Sequence, residues 1–131
     1  MSESRSGDDE KLAVAERLFA AITAGDIDGL RDVYSPDAVI WHNHDGLRQT
    51  VEENLTVLRW VTRNVGGLRY DDVRRQATTD GFVQQHVLRG TTASGRPIEI
   101  PACIVCTVSG RRITRLDEYL DSAHIVPLLS K

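Results

Sequence analysis

Glu118 is the residue of this chain best placed to do chemistry. It sits in Thr114-Arg115-Leu116-Asp117-Glu118-Tyr119-Leu120-Asp121, a stretch with the alternation of a strand. Alternation puts Thr114, Leu116, Glu118 and Leu120 on one face, and Arg115, Asp117, Tyr119 and Asp121 on the other. The first face is apolar apart from Glu118, so it is expected to turn inward. A carboxyl held between two leucines on a core face loses solvation, which favours its neutral form and raises its pKa. Such a group is a natural general acid or base near neutral pH. The structural alternative puts Glu118 at the sheet rim or pairs it with an arginine such as Arg89.

The histidines are His42, His44, His86 and His124. His42 and His44 share a strand face and could grip a metal at two points, with His86 or an acid as third ligand. Nothing in the spacing brings a third ligand to them, so no metal site is assigned. His86, in Gln84-Gln85-His86-Val87-Leu88, lies mid-strand, but the alternation there selects neither face. Turned inward it joins Glu118 as an acid–base candidate; otherwise it is a packing or interface histidine. Cys103 and Cys106 have C-x-x-C spacing, yet they lie in the β-branched run Ile100 to Val108. Residues three apart on a strand face opposite sides, whereas a redox pair needs a helix N-terminus. Two structural cysteines are expected.

The elements that must carry these residues follow from periodicity. Leu12, Ala15, Leu18, Phe19 and Ile22 repeat at helical spacing from Asp9 to Ala24, and Gly25 supplies a stop. Asp26 can cap a short helix from Ile27 to Tyr34, which Ser35-Pro36-Asp37 breaks. Ala38 to His42 reads as a strand. Thr50 and Glu53 form a capping-box pattern at the head of a third helix, which Gly66-Gly67 ends. Strands are then expected over Leu68 to Gln76, Gly81 to Thr91, Pro97 to Val108 and Arg112 to Leu120, with turns at Ser94-Gly95 and Ser109-Gly110. Helices followed by a run of adjacent strands exclude a βαβ parallel sheet and leave an antiparallel α+β fold.

Composition sets the class. A chain of 131 residues can bury a core as one domain without metal or disulfide staples. Its basic residues are two lysines and fourteen arginines, scattered and outnumbered by nineteen acids, so no nucleic-acid partner is expected. No apolar run reaches the roughly 18–20 residues of a membrane span, so no membrane partner is expected either. Met1 to Glu10 is polar and acidic, unlike a signal peptide, and the cytoplasm is the expected compartment. Residues 1–8 are expected to be a disordered lead-in to a single domain over 9–131.

Several stretches resemble one superfamily. Leu18 to Leu30, through Gly25-Asp26, is similar to the helix-Gly-Asp-helix opening of ketosteroid isomerases. Ser35-Pro36-Asp37-Ala38-Val39 with Trp41-His42-Asn43 looks like the first strand of the same superfamily. Gly95-Arg96, Arg112-Ile113 and Glu118-Tyr119-Leu120-Asp121 resemble the last hairpin of limonene-epoxide hydrolases and SnoaL-like polyketide cyclases. Together they cover nearly the whole chain. The resemblance implies a nuclear transport factor two-like, cystatin-like α+β barrel: a cone-shaped, curved antiparallel (mixed) sheet wrapped around the N-terminal helices, with a ligand pocket in its wide end. It implies no metal and no cofactor.

The same resemblance assigns roles. Glu118 falls where the epoxide hydrolases keep an acidic catalytic residue. Asn43 matches an asparagine that orients their nucleophilic water, while Trp41 replaces its tyrosine partner. Gln85 and Val87 stand where those enzymes need an Arg and an Asp, so that triad is incomplete. The isomerase set is incomplete too: an amide at Asn43 cannot shuttle a proton, Leu18 takes the place of the oxyanion-binding tyrosine, and no acid lies near Ala102. The expectation is therefore a pocket for a small hydrophobic molecule, with Glu118 and His86 as its catalytic candidates. Trp41, Asn43, Gln85, Val87, Arg89, Ile100, Ala102, Leu116 and Leu120 would contact the ligand. The alternative is a binding or dimerisation module with a vestigial site. Pro101, Cys103, Val105 and Tyr119 make the outer sheet face apolar, and a homodimer is expected across it.

Overall fold

In a computed structural model describing residues 2–129, the order is helix, helix, strand, short strand, helix and four strands. The helices are α1 (Ser2–Ala24), α2 (Ile27–Val33) and α3 (Val51–Asn64); the strands are β1 (Tyr34–His42), β2 (Arg48–Gln49), β3 (Val65–Ala77), β4 (Gly81–Thr92), β5 (Pro97–Ser109) and β6 (Arg112–Leu120). A 3-10 turn, Ser122–Ile125, leads into α4 (Val126–Leu129). No helix among the described residues is long and apolar enough to cross a membrane.

The punctuation read from the sequence forms local structure. Gly25 takes a positive φ of 66°, where a side chain would be strained, and closes α1. The Asp26 side chain accepts from the Gly29 amide and starts α2. At α3 the Thr50 hydroxyl accepts from the Glu53 amide at 3.2 Å while the Glu53 carboxylate accepts from the Thr50 amide at 3.0 Å.

Boundaries differ where tertiary pairing overrides local signals. α1 starts at Ser2 rather than Asp9, so most of the expected lead-in lies in its first turns; once nucleated, a helix gains one bond per added residue. Ser35-Pro36-Asp37 does not separate helix from strand but lies inside β1, where pairing with β6 is irregular between Tyr34 and Val39. Gly66 and Gly67 belong to β3, and α3 has already ended at Asn64. β2, the 3-10 turn and α4 have no counterpart in the sequence reading.

The six strands form one sheet in the order β2-β1-β6-β5-β4-β3. Strands β3 to β6 are an antiparallel meander, as expected, while β1 runs parallel to β6. The sheet is mixed and open: β2 and β3 are its edges, so it is not a closed barrel. Its inner face packs on α1 and α2 through Leu18, Phe19, Ile22, Leu30, Ile40, Phe82, Ile104 and Ile113. A second cluster of Val65, Ile98 and Ile100 continues the core toward α4, which adds Leu128.

Two irregularities set which side chains face inward. In β3 the pairing with β4 shifts between Asp71 and Arg74, with Asp72 at φ 54°, so both Tyr70 and Arg75 face the core despite their odd spacing. In β6 a shift opposite Thr107 lets both Ile113 and Leu116 be buried, and Thr114 instead donates to the Thr107 carbonyl. β4 and β5 approach closely at Gly81, where an added Cβ would collide with the carbonyl oxygen of Cys106. Gly81→Ala is therefore expected to lower stability by about 1–3 kcal/mol through forced separation of the two strands. Urea denaturation checks this, and an unchanged midpoint would contradict the close packing.

Candidate functional site

The inner face of the sheet, α3 and the C-terminal segment enclose a cavity of about 270 Å³. Its wall is mostly apolar, built from Leu18, Ile22, Ile40, Leu68, Ile100, Ile104, Leu116 and Leu120. Val57 and Trp60 of α3, with Ile125, Leu128 and Leu129, border it on the side of the C-terminal helix. Among the described residues no lysine or arginine lines it; its ionisable side chains are Glu118, His42, His44, Tyr34 and Tyr70.

The parallel register of β1 and β6 sets His42 directly opposite Glu118. Their side chains meet, with His42 Nε2 3.0 Å from Glu118 Oε1, and both are largely shielded from solvent. Burial works against a charged His42. The hydrogen bond and charge of Glu118, with Asp45 behind, outweigh it and raise the imidazole pKa above its ordinary value. Glu118 thus does not stand alone in an apolar wall, nor does it pair with Arg89. It is half of a carboxylate–imidazole pair, an arrangement able to take up a proton from a substrate and pass it on.

Asn43 secures this pair. Its amide donates to the Glu118 carbonyl at 3.0 Å, and its side-chain oxygen accepts from the Leu120 amide at 2.8 Å. The backbone just after the catalytic candidate, at the Glu118 carbonyl and the Leu120 amide, is thereby tied to the end of β1.

Tyr34 and Tyr70 also line the cavity. Burial pushes both phenols far above their usual pKa, and the Glu118 charge adds to the effect. Both stay protonated across the physiological range, and neither hydroxyl is bonded to another group among the described residues. They are neutral donors on the wall that holds the acid–base pair. Asn54, also on the wall, donates to Gln49 at 3.1 Å and carries the one buried side-chain polar atom without a partner among the described residues, its Oδ1.

The expected ligand contacts divide cleanly. Ile100, Ala102, Leu116, Glu118 and Leu120 line the cavity as the sequence suggested. Trp41 does not: it lies on the outer face, its ring 5.4 Å from that of Tyr119. Gln85 is exposed, and Gln85 and Val87 border a broad outer groove with Val73, Pro101 and Cys103. Arg89 is held on the outer side by Asp71 at 3.0 Å. The inward residues of β4 are Phe82, Gln84 and His86, and on β1 the inward position is His42 rather than Trp41. Both strands are one residue out of phase with the resemblance, which swaps the faces of all their side chains. His86 is buried, but its ring packs between Phe19 and Tyr70 at 5.6 and 4.6 Å, outside the cavity lining. Cys103 and Cys106 face opposite sides as expected, and both are free thiols.

In the sequence, His42, Tyr34, Tyr70 and Trp60 do not stand out as active-site or ligand contacts. The missing signal is weak: Tyr34 reads as the last residue of a helix, and His42 shows only as a possible metal ligand.

Comparison with known proteins bears on the fold. A crystal structure of a provisionally named polyketide cyclase from Xanthomonas campestris pv. campestris matches with a TM-score of 0.80 at 17% identity, over 94% of this chain and 98% of that one. A limonene-epoxide-hydrolase-like enzyme from M. tuberculosis matches at 0.76 and 20%, over 92% and 89%. A protein of ketosteroid isomerase-like fold from Catenulispora acidiphila, solved with trimethylamine, matches at 0.75 and 15%, over 86% and 88%. Among curated proteins none matches the chain. These likenesses establish the nuclear transport factor two-like fold. The family model for the SnoaL-like domain matches residues 15–116, and the chain belongs to that family.

Proposed function

We propose that this protein is a cofactor-independent acid–base enzyme acting on a small, neutral, largely apolar molecule, with Glu118 as the proton-transferring group. One observation carries the reading: a carboxylate and an imidazole 3.0 Å apart in a cavity with otherwise mostly apolar walls. Glu118 takes a proton from the substrate, and His42 shares the charge and returns the proton. Tyr34 and Tyr70 donate hydrogen bonds to a substrate oxygen that gains negative charge, where buried neutral donors are most effective. Among the described residues no lysine or arginine lines the cavity, which disfavours anionic substrates. Cyclisation, isomerisation and hydrolysis all fit this equipment, and the likeness to proteins named as a polyketide cyclase and an epoxide hydrolase is in keeping with that class.

The test begins with thermal stability against a panel of neutral steroids, terpene epoxides, aromatic polyketides and ketones. A saturable rise in melting temperature identifies ligands, and Trp60, at the cavity border, should report binding by fluorescence in a Trp41→Phe background. With a turned-over ligand in hand, Glu118→Gln should abolish activity with the fold intact. Tyr70→Phe should reduce kcat by roughly 10–1000-fold. Full activity of Glu118→Gln would refute the catalytic role, and saturable binding without turnover of any ligand would favour a carrier.

A pH-dependent stability follows from the same pair. The folded pKa of His42 is raised above its unfolded value of about 6.5, so its stabilising contribution is complete below that pH and is lost as pH rises through the folded pKa. The melting-temperature gap between wild type and His42→Gln should therefore be widest at mildly acidic pH and shrink toward alkaline pH. A gap independent of pH would show that the pair carries no such linkage.

A second copy of the chain is the proposed partner for the outer sheet face, where Val73, Val105 and Tyr119 are exposed around the groove that Pro101 and Cys103 border. Sedimentation velocity should give a dimer for the wild type and a monomer for Val105→Arg; a monomeric wild type would contradict this.

A further inference from the structure

Outside the cavity lining, a second polar chain runs from the surface of α1 into the interior between β3 and β4. The Glu16 carboxylate accepts from Arg75 Nη1 at 2.7 Å. Arg75 Nε donates to Gln84 Oε1 at 2.6 Å, and Gln84 Nε2 lies 2.9 Å from His86 Nδ1. Gln84 is fully buried and His86 is 4% exposed, so solvent cannot replace a lost partner.

The direction of this chain is dictated from its charged end. A guanidinium has only donors, so the atom of Gln84 that meets it must be the amide oxygen. The amide NH2 then faces His86. An NH2 group cannot accept, so His86 Nδ1 must present a lone pair, and the single proton of the neutral ring sits on Nε2. Turning the amide over would set NH2 against the guanidinium and lose the bond to Arg75, and only then could the amide oxygen accept from a proton on Nδ1. Protonating Nδ1 would drive an N–H into the NH2.

We infer that Arg75 and Gln84 are positioning residues that hold His86 as a neutral imidazole protonated on Nε2, so that it serves as neither base nor cation beside Glu118. The groups around the ring agree. Phe19 of α1 and Tyr70 of β3 pack on it, and Glu118 of β6 and Arg75 of β3 act on it with opposite charges. Burial opposes protonation most, Glu118 favours it, Arg75 opposes it, and together they hold the pKa down to about 4. The consequence reaches the acid–base pair: a second cation behind the cavity wall, within electrostatic reach of Glu118, would weaken it as a base, and the relay prevents it. The tautomer stands whether or not the cavity proves catalytic.

The experiment is long-range proton–nitrogen NMR on the full chain with labelled histidine, between pH 5 and 8, with the His86 signals assigned by their loss in His86→Phe. In the wild type, His86 should show the Nε2–H pattern throughout and should not titrate. In Gln84→Glu the new carboxylate accepts from Nδ1, so the ring should take a proton there and become cationic, with its pKa raised by about two units or more. Arg75→Lys keeps a donor and should preserve the wild-type pattern. Arg75→Met lets the amide turn over and should give a mixture of tautomers; it lies at the partly exposed end of the relay and decides the matter if Gln84→Glu does not fold. A wild-type His86 that carries its proton on Nδ1, or that titrates near 6.5, overturns the inference. So does a tautomer unmoved by the Gln84→Glu and Arg75→Met changes. If turnover is found, Gln84→Glu should also move the pH–rate profile, which a purely structural glutamine would leave in place.

Discussion

The site depends on the parallel pairing of β1 with β6. Among the described residues this is the one parallel contact of the sheet, and it places His42 opposite Glu118 and Ile40 opposite Leu116. Because side chains alternate along a strand, a register shift of one residue would turn either member of the pair away. Asn43 guards against that shift by bonding to the backbone at both Glu118 and Leu120. An asparagine expected to orient a water therefore works on the chain instead, at the point where misalignment would matter most.

The inner face carries polar groups in two separate sets, and burial makes each exacting. Around Glu118, two phenols and an imidazole offer donors within an apolar cavity. Across β3 and β4, the Glu16–Arg75–Gln84–His86 chain satisfies its members in one direction only. The bulge at Asp72 makes the second set possible, since without it Tyr70 and Arg75 could not both face inward. Its outward counterpart is the Asp71–Arg89 contact, which takes Arg89 out of any role beside Glu118.

The two faces of the sheet thus divide the work. The inner face supplies the core, the cavity and its titrating groups. The outer face presents Val73, Val105 and Tyr119 to solvent, with Trp41 packed against Tyr119. Four of the expected ligand contacts, Trp41, Gln85, Val87 and Arg89, belong to this outer side.

The amino-acid sequence by itself determined the order of the main elements, the capping box at Thr50 and Glu53, the four-strand meander and the inward face of β6. Each of these rests on local signals: caps and turns act within a few residues, and Glu118 is flanked by leucines on a face opposed by charges. Only the tertiary structure decided the faces of β1 and β4. Ala38, Ile40 and His42 are no more apolar than Val39 and Trp41, and the same ambiguity holds for Gln84, His86 and Leu88 against Gln85 and Val87. Alternation states that neighbours part, not which of them faces the core, unless one face is plainly polar. The meeting of His42 with Glu118, and of Arg75 with Gln84, lay beyond the sequence for a related reason. Each depends on the register between strands, and that register is set by packing of the whole sheet rather than by the residues that meet.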